Sequence, residues 1–266
     1  MKHTVKIILI LITLFLLAQI IGLFIINNYT IKGKKLPYNI EPPKFKEETS
    51  YLPIFVIILI ATLLAFLLAK FKAVKLWKAW FFLSVWFCLI IALSVFVSQG
   101  IALLIALALA FFRILKPNII IHNLTELFIY GGLAAIFVPI LNIFSISILL
   151  LVISVYDMIA VWGTKHMIKL AKFQSKLKMF AGLLIPYDKK NVAVLGGGDI
   201  GFPLLFAGVV MKSFGLKALL IPLFCCIALT LLLIKGKKKK FYPAMPFLSI
   251  GCFVGFLVLI LISKFI

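Results

Sequence analysis

A chain of 266 residues that is 65% hydrophobic and only 13% charged cannot clothe a water-soluble domain, which needs roughly 25% charged residues. Its solvent must largely be lipid, and at about 20 apolar residues per membrane helix some nine spans with short loops use the whole length, leaving no room for a separate soluble domain. The net charge of +21 does not point to nucleic acid, because the lysines fall in short clusters between apolar runs, where they mark helix ends and face anionic lipid headgroups.

The first apolar run, Ile7 to Ile26, follows Lys2 and Lys6. It is too long for a signal peptide and no small-x-small cleavage site follows, so a retained helix is expected. Further runs fall at 52–69, 79–98, 100–115, 124–142, 144–164, 192–211, 216–234 and 242–262. The breaks at Ser98-Gln99-Gly100 and near Asn142 are the shortest, and closing them leaves seven or eight spans. The predicted fold class is an all-α polytopic membrane protein with nine transmembrane helices. It forms one transmembrane domain over 1–266: spans one to six in 1–164, a cytoplasmic loop at 165–191, and spans seven to nine in 192–266.

Charge sets the expected orientation. Lys2 and Lys6, Lys70 to Lys78, Arg113 and Lys116, Lys165 to Lys190 and Lys235 to Lys240 fall on one side of a nine-span bundle. The other side keeps Lys32 to Lys46, Lys212, Lys217 and Lys264, several of them beside Glu41, Glu47 and Glu48. The excess predicts a cytoplasmic N-terminus and an external C-terminus in a cell membrane. Within the loop, Met179 to Pro186 is apolar but too short to span. It is expected to dip into the interface, to fill a groove in the bundle, or to rest on headgroups.

Metal chemistry finds no support. Cys88, Cys225, Cys226 and Cys252 lie inside apolar runs without ligand spacing, and His3, His122 and His166 are scattered through predicted tails and loops. Neither a metal nor a cofactor is expected. Of the seven carboxylates, four fall in loops, and Glu126 sits near a predicted helix end at headgroup level. Asp157 and Asp199 each lie within an apolar run, where an aspartate costs about 2.5–3.5 kcal/mol even on the lower insertion scales. Such a residue should face the bundle interior and marks a functional site.

Asp157 lies eight residues before Lys165, and Asp199 nine after Lys190. At 1.5 Å of rise per residue both sit roughly 12–14 Å in from the same face, on consecutive antiparallel helices. Two carboxyls that meet in a low-dielectric site share one proton and titrate as one unit. Such a pair can take a proton from water and give one to a scissile amide. It can equally serve a proton-coupled transporter or simply join two helices.

The neighbouring residues bear on that choice. Gly196, Gly197 and Gly198 directly precede Asp199 and should loosen the helix start so that a backbone or a water can approach the acid. Tyr242-Pro243-Ala244-Met245-Pro246 should leave backbone groups free on the same side, an edge against which an unwound substrate segment could pair.

Ser154-Val155-Tyr156-Asp157 resembles the Tyr-Asp motif of presenilins and signal peptide peptidases, and Val152 to Val161 looks like presenilin in particular. Gly196-Gly197-Gly198-Asp199 matches the Gly-x-Gly-Asp motif of that family, and Pro243-Ala244-Met245 stands where the family has Pro-Ala-Leu. The resemblance implies a presenilin-like nine-helix fold and an intramembrane aspartyl protease with Asp157 and Asp199 as catalytic residues. Tyr156, Gly196, Gly197 and Gly198 would support the site; Pro243, Ala244 and Met245 would bind substrate. The implied partners are transmembrane-helix substrates and membrane lipid, and the short length favours an unassisted enzyme or a homo-oligomer. Prepilin-type peptidases share Gly-x-Gly-Asp but not the flanking motifs. A transporter would be expected to show internal repeats or paired broken helices, and neither is evident.

Overall fold

The computed structural model describes residues 4–164, 167, 170–171, 173–174, 177, 179–187, 192–236 and 242–265. Lys2, Lys165, Lys169, Lys172, Lys176, Lys178, Lys189, Lys190 and Lys237 to Lys240, on which the expected orientation and depth partly rest, lie outside these residues, as do His3, His166 and Asp188.

In lipid every backbone polar group needs a partner within the protein, and the apolar runs meet that demand as helices. Among the described residues there are nine: α1 (Val5–Ile26), α2 (Tyr51–Lys70), α3 (Val74–Leu93), α4 (Gln99–Leu115), α5 (Ile119–Phe137), α6 (Ile143–Met158), α7 (Gly197–Phe214), α8 (Leu220–Lys235) and α9 (Met245–Phe265). α1 and α6 each continue into a π-helical turn, Asn27–Ile31 and Ile159–Gly163. Side-chain caps define two starts: Asn118 accepts from the Ile120 N–H at 2.8 Å and Asn142 from that of Ser145 at 2.8 Å, so each uses one otherwise orphaned donor.

Seven segments are long and apolar enough to cross a membrane, and the chain is an integral multi-pass membrane protein. One of the seven, Gly197–Lys235, is 39 residues long and holds both α7 and α8, broken at Gly215, where φ is +56°. α4 has 17 residues and falls below that length. Large apolar side chains such as Leu9, Leu63, Leu104 and Leu257 are more than half exposed, as befits surfaces that face lipid.

Small residues set the closest helix contacts, as expected where lipid removes the hydrophobic drive for association. Ala102, Ala106 and Ala110 form a fully buried stripe on α4, which packs on α3. Gly22 of α1 and Gly131 of α5 meet so closely that a Cβ on Gly131 would stand 3.0 Å from the Gly22 Cα. Gly251 and Gly255, one turn apart on α9, admit α8: added Cβ atoms would lie 3.0 Å from the Cα atoms of Cys225 and Ile221. α2, packed on α3 and α6, is the least covered, with only Ile54 and Ala65 buried.

Three expectations are corrected. Residues 192–196 are not the start of a span but strand β2 (Val192–Gly196), paired antiparallel with β1 (Gly182–Pro186) in a register of Gly182 with Gly196 and Pro186 with Val192. A short apolar run bounded by glycine carries no periodicity that separates strand from buried helix, and the partner strand decides it. The Met179–Pro186 segment thus fills the bundle: Met179, Phe180, Leu183 and Ile185 are buried, and β1 packs on α5 and α1.

Glu126 is the second correction. It is not at headgroup level but seven residues into α5 and 1% exposed, ion-paired with Arg113 of α4, itself 2% exposed. His122 is likewise in α5 rather than a loop, buried, with Nε2 2.7 Å from the Gly182 carbonyl oxygen. Both positions were misjudged because α5 begins at Ile119, before the apolar run at 124–142.

Candidate active site

Asp157 lies in the last turn of regular α6, just before the π-helical turn. Its carboxylate is half-buried and accepts from the Met245 backbone N–H at 3.2 Å through Oδ2. The proline-rich stretch thus turns one backbone donor onto Asp157, so that this donor serves the acid and is not free for an unwound substrate segment. One turn away Ser154 and Ser249 share a buried Oγ–Oγ hydrogen bond of 2.7 Å, so α6 and α9 are joined by polar contacts at two successive levels. Tyr156 points to α2, its ring edge-on to that of Phe55 with centroids 6.4 Å apart.

Asp199 stands at the third position of α7, behind the cap Gly196. Its side chain folds back over the helix start towards Gly196, and the positive end of the helix dipole lies under it. The three preceding glycines serve different purposes. A Cβ on Gly196 would sit 3.1 Å from the Asp199 Oδ2, one on Gly197 would stand 2.8 Å from the Tyr130 hydroxyl, and one on Gly198 would make only ordinary contact with Phe202. α6, α7 and α9 pack on one another, so the elements that carry Asp157, Asp199 and Met245 meet.

Among the described residues, the hairpin beside Asp199 has one edge that meets partners and one that meets none. The Gly197 N–H donates to the Ala181 carbonyl at 3.1 Å. Antiparallel ladders alternate, so with the observed register Leu195 and Ala193 turn their backbone groups to β1, while Gly196, Val194 and Val192 turn theirs away. On β1 the outward groups belong to Gly182 and Leu184. They are taken by α5: the Asn123 side chain donates to the Leu184 carbonyl at 2.8 Å and accepts from its N–H at 3.0 Å, and His122 meets the Gly182 carbonyl. The outer edge of β2, ending three residues before Asp199, has no strand partner among the described residues.

Hydropathy gave no sign of several residues that shape this place. Arg113, Glu126 and Tyr130 form a buried chain in which Glu126 accepts from both partners. Arg113 also donates to Thr125 at 2.6 Å and to the Phe180 carbonyl at 3.2 Å. Gln19 of α1, fully buried, donates to the Ile200 carbonyl at 2.8 Å. A glutamine inside an otherwise apolar helix was the one available signal, since such a residue must find a partner. No group of three or more His, Cys, Asp or Glu suited to a metal ion occurs among the described residues.

Structures of a presenilin family intramembrane aspartate protease in space groups C222 and P2 are similar to this chain. Each is 22% identical to it with a TM-score of 0.66, covering 94% and 95% of this chain and 97% and 96% of theirs; at that identity the likeness is one of fold. No curated protein matches the chain. A family model described as signal-peptide peptidase, presenilin aspartyl protease matches residues 12–265. That match spans nearly the whole sequence and every element described above, and the chain belongs to the signal-peptide peptidase and presenilin family of intramembrane aspartyl proteases.

Proposed function

We propose that the protein cleaves transmembrane segments of other membrane proteins, with Asp157 and Asp199 activating one water molecule. What supports this reading is that α6, α7 and α9 pack on one another, with the Asp157 carboxylate held by the Met245 N–H and the Asp199 side chain lying against Gly196. Two acids that meet in a low-dielectric site hold one proton between them. The ionised member takes a proton from the water as it attacks the scissile carbonyl. The protonated member donates to that carbonyl oxygen, and a proton then passes to the leaving nitrogen as the C–N bond breaks.

A substrate helix hides its amides in its own hydrogen bonds and must be unwound first. The open edge of β2 offers Val192, Val194 and Gly196 as partners for an extended segment, in the manner of strand addition. The exposed Val192 and Val194 side chains flank that edge, and it runs towards Asp199. Pro243, Ala244 and Met245 hold Asp157 from the other side and border the same space, while Tyr156 and Gly196 to Gly198 shape its walls.

The nine helices are proposed to make nine crossings of a single domain: Gly197–Lys235 crosses twice, turning at Gly215, and α4 spans about 26 Å of the roughly 30 Å hydrocarbon core. The distribution of lysine and arginine supports a cytoplasmic N-terminus. The compact chain is proposed to act alone or as a homo-oligomer.

The test uses purified protein in detergent with a labelled transmembrane peptide. Cleavage that stops on adding a transition-state analogue of aspartyl proteolysis is expected. An intact peptide after prolonged incubation would refute the reading, as would cleavage indifferent to the inhibitor.

A further inference from the structure

We propose that Tyr130 is a positioning residue for Asp199, locked by the buried Arg113–Glu126 pair and pressed against Gly197. The inference rests on the protease reading given above. Tyr130 is 6% exposed, and its hydroxyl donates to Glu126. Glu126 is in turn held by Arg113, which spans from α4 to Thr125 and to the Phe180 carbonyl just before β1 and also lies over the Phe81 ring, 5.0 Å from its centroid. A hydroxyl whose proton is committed to a buried carboxylate has a fixed direction. Its oxygen then stands 2.8 Å from where a Cβ on Gly197 would be, and the ring lies against Gly201 one turn further on, 3.6 Å from where its Cβ would be.

Asp199 lies between those two glycines in sequence, in the turn that they bracket. Gln19 of α1 holds the Ile200 carbonyl of that turn, and the close crossing of α1 and α5 at Gly22 and Gly131 brings both side chains to it. The first turn of α7 is therefore gripped between two buried polar side chains. Catalytic geometry must be kept to within about 0.5 Å, which a glycine-rich helix start does not supply by itself. The arrangement also bears on the residue at the middle position of Gly-x-Gly-Asp in this chain: any side chain at 197 would have to displace the Tyr130 hydroxyl.

The experiment is a double-mutant cycle on purified protein, with kcat and KM for a labelled transmembrane peptide and Tm for each variant. Tyr130→Phe is expected to lower kcat about tenfold or more, as a small misplacement of a catalytic group does, while KM stays within about twofold. Gly197→Ala is expected to cost at least as much in the wild-type background but less than about threefold beside Tyr130→Phe, whose freed ring can yield by a few tenths of an ångström. Should Gly197→Ala alone fail to accumulate as folded protein, its recovery in the double variant is the expected rescue. An equal cost of Gly197→Ala in both backgrounds would overturn the proposal. So would a Tyr130→Phe variant that loses Tm but keeps kcat, or a double variant that does not fold. A wild type that cleaves nothing removes the protease reading, and the positioning role with it; a cleaving wild type without coupling removes the positioning role alone.

Discussion

The Met245 backbone N–H, at the head of α9, donates to the Oδ2 of Asp157 on α6, 88 residues away in sequence, at 3.2 Å. The contact is made by the main chain, so the side chain at 245 is free to vary as long as its volume is kept. Met245→Leu is therefore expected to keep kcat/KM within about threefold, since a volume-conserving apolar exchange costs under about 1.5 kcal/mol.

Met245→Pro separates the two parts of that contact. Proline is tolerated at a first helical position, but it carries no N–H, and a hydrogen bond to a charged group is worth about 1.5–3 kcal/mol. A drop in kcat of about tenfold or more is expected in steady-state assays, with Tm little changed. Undiminished turnover would show that the amide does not serve Asp157.

Replacing either acid is more severe. Asp157→Asn and Asp199→Asn would each remove one half of the proposed proton-sharing pair, so cleavage of a labelled transmembrane peptide should fall to background in both. The asparagines preserve shape, and size-exclusion profiles in detergent should match the wild type. Full activity in either variant would remove that residue from the chemistry.

The two faces of β2 should respond differently to proline. Val194 turns its N–H to the open edge and Ala193 turns its own to β1, by the alternation of the ladder. Val194→Pro is expected to raise KM several-fold at near-constant Tm. Ala193→Pro should instead lower Tm, because it breaks a bond within the hairpin. Identical effects of the two would remove the edge as a substrate platform.

The buried Arg113–Glu126 pair gives a prediction on stability. Arg113→Met leaves the Glu126 charge uncompensated at 1% exposure, which should cost about 3–5 kcal/mol in unfolding measurements, and the double variant Arg113→Met/Glu126→Leu should recover most of it. Its activity should stay low, because Tyr130 would have lost its acceptor.

The sequence alone determined the membrane character of this protein and its helical runs, and it singled out the two acids proposed as catalytic. Insertion into lipid is decided segment by segment, by local hydropathy and charge, so each run and each misplaced aspartate reads independently of its neighbours. The motifs around Asp157, Asp199 and Met245 were legible for the same reason: each is a short local string. Only the tertiary structure decided that residues 192–196 pair as a strand, that Glu126 meets Arg113, and that Gln19 and Tyr130 reach the first turn of α7. Those facts depend on how neighbouring helices rotate and slide against each other at contacts such as Gly22 with Gly131. Packing fixes such distances between residues far apart in the chain, and no periodicity within one segment encodes them.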